Sequence, residues 1–176
     1  FDKGKNNMSP QEAYKYALEN GSSKNTRYIA CQDSEFAYLY AVDIDKCSRE
    51  DTREAACKNG GSAYGYAKNV DGHPREDTRQ AVCSKSQYAY INAYFYALKV
   101  DKRPRKDTRK AVSKSPEYTY CYAKNIDRCP RKDTRRIVCE NPEYAYLYAV
   151  EVDKSFHEDT YNAVLNTEYE ENTKNF

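Results

Sequence analysis

Tyrosine and arginine, the residue types of this sequence best suited to recognising another molecule, recur at fixed positions along the chain. The string Tyr-x-Tyr-Ala occurs six times, and Asp-Thr-Arg occurs four times between two degenerate copies. A tyrosine ring can stack on a base or a peptide side chain, and arginine binds phosphate or carboxylate groups. One Tyr and one Arg per repeat therefore form a candidate binding face, namely Tyr38, Tyr64, Tyr94, Tyr120, Tyr146, Arg53, Arg79, Arg109 and Arg135.

The same residues also have a structural interpretation, which the sequence leaves open. The first Tyr of each pair lies off the apolar stripe of its own helix, so it can pack against the next repeat. The Arg of each Asp-Thr-Arg string can form a salt-bridge ladder with the Asp of its own or an adjacent string. These aspartates suit the first turn of a helix, and they are Asp51, Asp77, Asp107, Asp133 and Asp159.

No catalytic constellation accompanies these columns. The sequence offers no nucleophile beside a base, no asymmetric pair of acids and no glycine-rich phosphate loop, so we expect no enzyme and no cofactor. Four of the seven cysteines share one repeat position, where neighbouring helices are about 8–10 Å apart, too far for bridged Cα atoms. Free buried thiols of this kind indicate a reducing compartment, the cytoplasm. With two histidines and no Cys-x-x-Cys string, a zinc site is not expected.

The spacing of the repeated strings predicts the helices that position these residues. Successive Thr residues of the Asp-Thr-Arg strings lie 26 positions apart, except for one step of 30. The pattern within each repeat predicts two short helices. The first begins at an N-cap followed by Pro, as at Ser115-Pro116, and the second begins near Pro74, Pro104 or Pro130. The longer step predicts a first helix in the fourth repeat that is lengthened by about one turn.

The predicted fold class is therefore all-α, a right-handed α-solenoid of about six two-helix repeats with a tetratricopeptide-like general architecture. Low aliphatic content and 19 tyrosines predict a thin core of Tyr, Ala, Val and Ile. Residues 1–8 and 167–176 are expected to be tails, and residues 9–166 one array. Its repeats span about 9–32, 33–59, 60–85, 86–114, 115–140 and 141–166.

The pattern Pro-Glu-Tyr-Ala-Tyr-x-Tyr-Ala, at residues 142–149, resembles short Tyr-rich repeats in uncharacterised proteins of large DNA viruses and bacteriophages. The resemblance covers about residues 9–165. It implies a repeat scaffold with no known reaction, and it transfers no site residues.

Charge and hydropathy narrow the class of partner. The formal net charge is only +2, with 29 Lys and Arg against 27 Asp and Glu. No apolar run approaches the roughly 20 residues that span a bilayer. The leading hypothesis is a non-enzymatic scaffold for protein–protein interaction or self-assembly. The alternative is single-stranded nucleic-acid binding through the Tyr and Arg of each repeat, which requires outward Tyr rings and Arg side chains that are not paired to Asp. No membrane or small-molecule partner is expected.

Overall fold

The structure of the chain is a computed structural model that describes residues 8–84 and 86–174, and helices are the only regular secondary structure in these residues. This confirms the predicted all-α class. The helices group into two compact units, Phe1–Ser86 and Gln87–Phe176, and the division falls at the longer step of the repeat. The predicted N-terminal tail lies outside the described residues except for Met8.

The first unit contains three helix pairs in which a first helix packs on a second helix. In the second and third pairs, the first helix continues directly into a five-residue π-helical turn, Ala41–Asp45 after α3 and Ala67–Asp71 after α5. The helices are α1 (Pro10–Asn20), α2 (Lys24–Ala30), α3 (Ser34–Tyr40), α4 (Glu50–Ala56), α5 (Gly60–Tyr66) and α6 (Glu76–Val82).

The second unit repeats this arrangement in three further pairs and adds a short helix after them. Its π-helical turns are Ala97–Asp101, Ala123–Asp127 and Ala149–Asp153. The helices are α7 (Ala89–Tyr96), α8 (Lys106–Val112), α9 (Pro116–Tyr122), α10 (Lys132–Val138), α11 (Pro142–Tyr148), α12 (Glu158–Val164) and α13 (Glu170–Thr173). The predicted lengthening of the fourth first helix is wrong, because α7 is only one residue longer than α9. It begins at Ala89, after a turn that takes up most of the insertion.

The three first helices that the sequence predicts to begin at a cap followed by proline, α1, α9 and α11, begin there. Ser9 forms a reciprocal capping box with Glu12, and Asn141 accepts hydrogen bonds from the amides of Glu143 and Tyr144. Proline follows the cap at the first helical position, Pro142 in α11, where its missing amide hydrogen costs nothing. Local side chains therefore fix the start of each of these helices.

The second helices begin later than predicted. Pro74, Pro104 and Pro130 were expected in the opening turn, but α6, α8 and α10 begin two residues further on. The N-cap residue is an arginine with no side-chain capping bond, as at Arg105. Because arginine has no acceptor, the cap must come from another part of the fold.

A tyrosine hydroxyl of the following helix pair supplies that cap. The second Tyr of each Tyr-x-Tyr pair forms the second-Tyr column. The five members that follow α2, α4, α6, α8 and α10 are fully buried. The hydroxyl of Tyr66 accepts from the Arg49 amide at 3.0 Å and lies 2.9 Å from the hydroxyl of Thr52. The same contacts recur at Tyr40, Tyr122 and Tyr148 with Thr26, Thr108 and Thr134.

Left-handed residues end the π-helical turns. Four of the five residues that follow these turns are Lys or Arg with φ between 52° and 54°, whereas the second turn has Gly72 at φ 69°. A Cβ atom costs about 1–2 kcal/mol in this region. The backbone is therefore strained at four exposed basic residues, namely Lys46, Lys102, Arg128 and Lys154.

Replacing Lys102 with glycine should stabilise the second unit by about 0.5 kcal/mol, since relief of the left-handed strain slightly exceeds the greater unfolded-chain entropy of glycine. The exposed Lys99, three residues earlier in the π-helical turn, is the control, and Lys99→Gly should cost about 1 kcal/mol. Urea unfolding monitored by circular dichroism measures both. Equal losses in the two variants would contradict the left-handed assignment.

Candidate interaction surface

The first Tyr of each pair, the first-Tyr column, lies at the contact with the next helix pair rather than on an open face. Asn69 donates to the Tyr38 hydroxyl at 2.7 Å, and Asn125 donates to the Tyr94 hydroxyl at 2.9 Å; each partner lies 31 residues on, in the next π-helical turn. The Tyr120 hydroxyl donates to Glu151 in the same way. Tyr94 and Tyr120 are only 8% exposed. This confirms the structural interpretation for these residues, since their rings do not form an outward ladder.

The last member of this column is covered by the C-terminal segment. The ring of Tyr169 stacks on that of Tyr146, with centroids 5.2 Å apart and planes 20° from parallel. Thr173 of α13 is buried as well. The prediction of a tail over residues 167–176 is therefore wrong for residues 169–173, because Tyr146 has apolar surface that another ring can cover.

The Arg of each Asp-Thr-Arg string, the Arg column, is engaged by carboxylates. In the first unit Arg53 Nε donates to Asp77 at 2.7 Å, and Arg27 binds Asp51 in the same way at 2.8 Å. This confirms the predicted ladder between adjacent strings for these two residues. Arg79 binds Glu76 of its own helix.

In the second unit the Arg column binds a different set of acids. Arg109 and Arg135 each hold Asp127 or Asp153 through two nitrogens, with Nε distances of 2.9 and 3.0 Å. The expected partners Asp133 and Asp159 are not used. Asp127 and Asp153 end π-helical turns, and their side chains are 1% and 2% exposed. A carboxylate so buried needs a counter-charge, and in the second unit Arg109 and Arg135 supply it.

The predicted binding face is therefore engaged inside each unit in most of its members. The five members of the Arg column lie beside acids, and two of the five candidate tyrosines are buried. Tyr64 is half-buried, with the Lys68 ammonium group 5.8 Å from its ring centre. The side chains of the first-Tyr column and the Arg column hold the helices in position. Little of their surface is left for a ligand.

The repeats differ most at outward positions of the second helices. The first and fifth residues of α4 are Glu50 and Glu54, and α6 carries Glu76 and Gln80 at the same places. The corresponding residues of α8 and α10 are all basic and exposed. They define the basic surface: Lys106, Lys110, Lys132 and Arg136.

These four cations have no internal counter-charge. Within residues 8–84 and 86–174, none of their side chains forms a hydrogen bond or an ion pair. Residues 99–136, which include α8 and α10, contain 14 Lys and Arg but only five Asp and Glu, a net charge of +9. Residues 140–176 contain two Lys and nine acids, a net charge of −7. The small net charge of the whole chain therefore includes one strongly basic segment and one strongly acidic segment. Counting the charges in successive segments of the sequence would have shown this.

A cavity of about 230 Å³ contacts both helices of the basic surface. Lys106, Lys110 and Arg136 contribute to its wall, together with Asp133 and the partly buried Ile137. It therefore combines a cationic rim with apolar side-chain surface, an arrangement suited to a residue of a partner chain. None of its lining residues is aromatic.

The seven cysteines all lie within the described residues, and none of them forms a disulfide bond. Cys47 and Cys129 are exposed, and the other five are partly buried. Burial raises the pKa of the Cys31, Cys57 and Cys139 thiols to about 11. These three thiols are therefore almost fully protonated near neutral pH and are poor nucleophiles.

A disulfide reagent should accordingly modify Cys47 and Cys129 first in the native protein at pH 8. The reaction of Cys31, Cys57 and Cys139 should accelerate as the pH rises toward 11, since the thiolate is the reactive form. Mass spectrometry of peptides after timed quenching identifies the modified residues. Rapid modification of Cys57 in the folded protein would contradict the burial of its thiol.

Neither a membrane-spanning helix nor a metal-binding cluster occurs in the described residues. No helix of residues 8–84 or 86–174 is long and apolar enough to cross a membrane. Within these ranges, no group of three or more His, Cys, Asp or Glu residues is placed to hold a metal ion. Comparison with protein-family models, curated proteins and solved structures finds no match to this chain.

Proposed function

We propose that this protein is a non-enzymatic helical-repeat scaffold that binds a protein partner through the outward face of its second helices. The proposal rests on one observation, the contrast between the inward and the outward residue positions of the repeat. Inward positions keep the same Thr and Tyr contacts from pair to pair, whereas outward positions change from Glu50 and Glu54 to Lys110 and Arg136. Solenoid repeats commonly carry specificity on such an extended surface.

The finer architecture belongs to the same proposal. Six two-helix repeats in one right-handed solenoid, related to the viral and bacteriophage Tyr-rich repeats, remain our expectation. A cytoplasmic location is supported by seven free thiols.

The experiment is affinity capture from a cell extract by the full chain and by two variants. One variant reverses charges in the second unit, Lys110→Glu with Arg136→Glu, and the other does so in the first unit, Glu50→Lys with Glu54→Lys. All four residues are exposed, so the fold should be unchanged. We expect one set of partner proteins that is lost with one variant and kept with the other. An identical set with all three chains would refute the outward face as the binding surface.

Single-stranded nucleic acid remains the second candidate, because the net charge of +9 in residues 99–136 favours a polyanion. The per-repeat Tyr and Arg mechanism has less support, since Tyr94 and Tyr120 are buried and the Arg column is engaged by acids. Fluorescence anisotropy of a labelled mixed-sequence RNA or DNA, at low and physiological salt, tests it. Binding that is unaffected by neutralising Lys106, Lys110, Lys132 and Arg136 would require a site elsewhere.

A further inference from the structure

We infer that the basic surface of α8 and α10 binds an acidic helical segment of the partner protein, with one apolar side chain of that segment in the cavity. The inference rests on the proposed function and names the partner's chemistry. It is drawn from the spacing of the four cations, the lining of the cavity and the charge of the surrounding chain.

The spacing of the cations fits carboxylates on a helix. Lys106 and Lys110 are four residues apart on α8, and Lys132 and Arg136 are four apart on α10. Residues four apart on a helix lie on one face, about 6 Å apart along the axis. A partner helix with Glu or Asp at the same interval presents its acids at matching intervals. Amphipathic helices commonly bind grooves in this way.

The cavity gives this surface a specific anchoring point. Its volume of about 230 Å³ exceeds the roughly 150 Å³ that accommodates benzene in an engineered cavity. A Leu or Phe side chain therefore fits against Ile137 while neighbouring acids reach Lys110 and Arg136. Burial of that side chain supplies affinity, and the surrounding charges supply orientation and a fast association rate.

A polypeptide suits this surface better than a nucleic acid does. Binding of single strands depends on aromatic rings on which bases stack, and no aromatic residue lines the cavity. The rings of Tyr94 and Tyr120 in the same unit are buried. Asp133 also lines the cavity and would repel a continuous phosphate chain, whereas a helix can present a neutral residue at that point.

The test uses a fluorescein-labelled helical peptide in which Glu recurs at every fourth position around one central Leu. Its binding to the full chain is measured by anisotropy at low and physiological salt. The variant Lys106→Gln, Lys110→Gln, Lys132→Gln, Arg136→Gln should weaken binding about tenfold, since four exposed charge pairs with the peptide are lost together. The control is Glu50→Gln with Glu54→Gln, which changes exposed charges of the first unit and should not weaken binding. A peptide with Gln in place of Glu should not bind.

Three outcomes would overturn the inference: no binding of the acidic peptide at low salt, equal affinity of the neutralised variant, or tighter binding of a single-stranded oligonucleotide through the same four residues. Circular dichroism and urea unfolding of each variant verify that the fold is intact. If the peptide fails but the capture experiment still finds proteins that depend on Lys110 and Arg136, the scaffold function stands and only the acidic helix is excluded.

Discussion

Tyr66→Phe should lower the free energy of unfolding by about 2–3 kcal/mol, although it removes a single oxygen atom. The hydroxyl is fully buried, accepts from the Arg49 amide at 3.0 Å and lies 2.9 Å from the Thr52 hydroxyl. Phenylalanine leaves the ring packing intact but removes the hydrogen-bond acceptor of the Arg49 amide. It also removes one hydrogen-bond partner of the Thr52 hydroxyl. A buried group left without a partner costs about 1–3 kcal/mol. Urea unfolding of the wild-type protein and the variant measures the difference.

The matched control is Tyr38→Phe, which removes a hydroxyl from the first-Tyr column. Its partner Asn69 is exposed and can bind water instead, so the loss should stay below about 1 kcal/mol. Thr52→Val combined with Tyr66→Phe should cost less than the sum of the two single changes, because both partners of one contact are then absent. Equal costs for Tyr66→Phe and Tyr38→Phe would contradict the capping role of the second-Tyr column.

The pattern of helices follows from the sequence because it depends on local chemistry. Capping residues followed by proline, as at Asn141-Pro142, place the starts of the first helices correctly. The apolar spacing of Ala37, Tyr40 and Ala41 identifies the buried stripe of α3 and of the π-helical turn that follows it. Each of these signals acts within a few residues, so one sequence contains the information needed.

The errors concern interactions between repeats. The second helices were placed too early because proline is a common first residue, whereas here the cap is a tyrosine hydroxyl that lies 17 residues further along the chain. Sequence spacing contains no signal for such a contact. The partner of Arg135 was missed for a similar reason, since the burial of Asp153 becomes evident only when the helices are packed.

The candidate binding face stays a prediction, and the structure adds packing and ion-pair contacts for its residues. Invariance within the sequence marked Tyr94, Tyr120 and Arg109, but contacts that recur in every repeat are those that the repeat needs to pack. The exposed cations Lys110 and Arg136 vary from pair to pair and so escape a search for repeated strings. A comparison of charge between equivalent helices would have found them.

Arg135→Ala should lower the free energy of unfolding of the second unit by about 3–5 kcal/mol. Arg135 holds Asp153 through two nitrogens, and the two side chains are only 11% and 2% exposed. Removing the cation leaves a buried carboxylate without its counter-charge, which is far more costly than losing an exposed pair. The arginine also lies over the ring of Tyr148, 5.9 Å from its centre, and that contact is lost as well. Urea unfolding followed by circular dichroism measures the loss.

Two companion variants separate the charge effect from lost packing. Arg53→Ala removes an arginine of similar exposure whose partner Asp77 is 43% exposed and can be hydrated, so the electrostatic loss should be about 1 kcal/mol or less. Arg135→Met with Asp153→Leu replaces both buried charges by apolar side chains and should recover most of the stability lost in Arg135→Ala. If the double variant is as unstable as Arg135→Ala, the arginine acts mainly through its packing against Tyr148 rather than by neutralising Asp153.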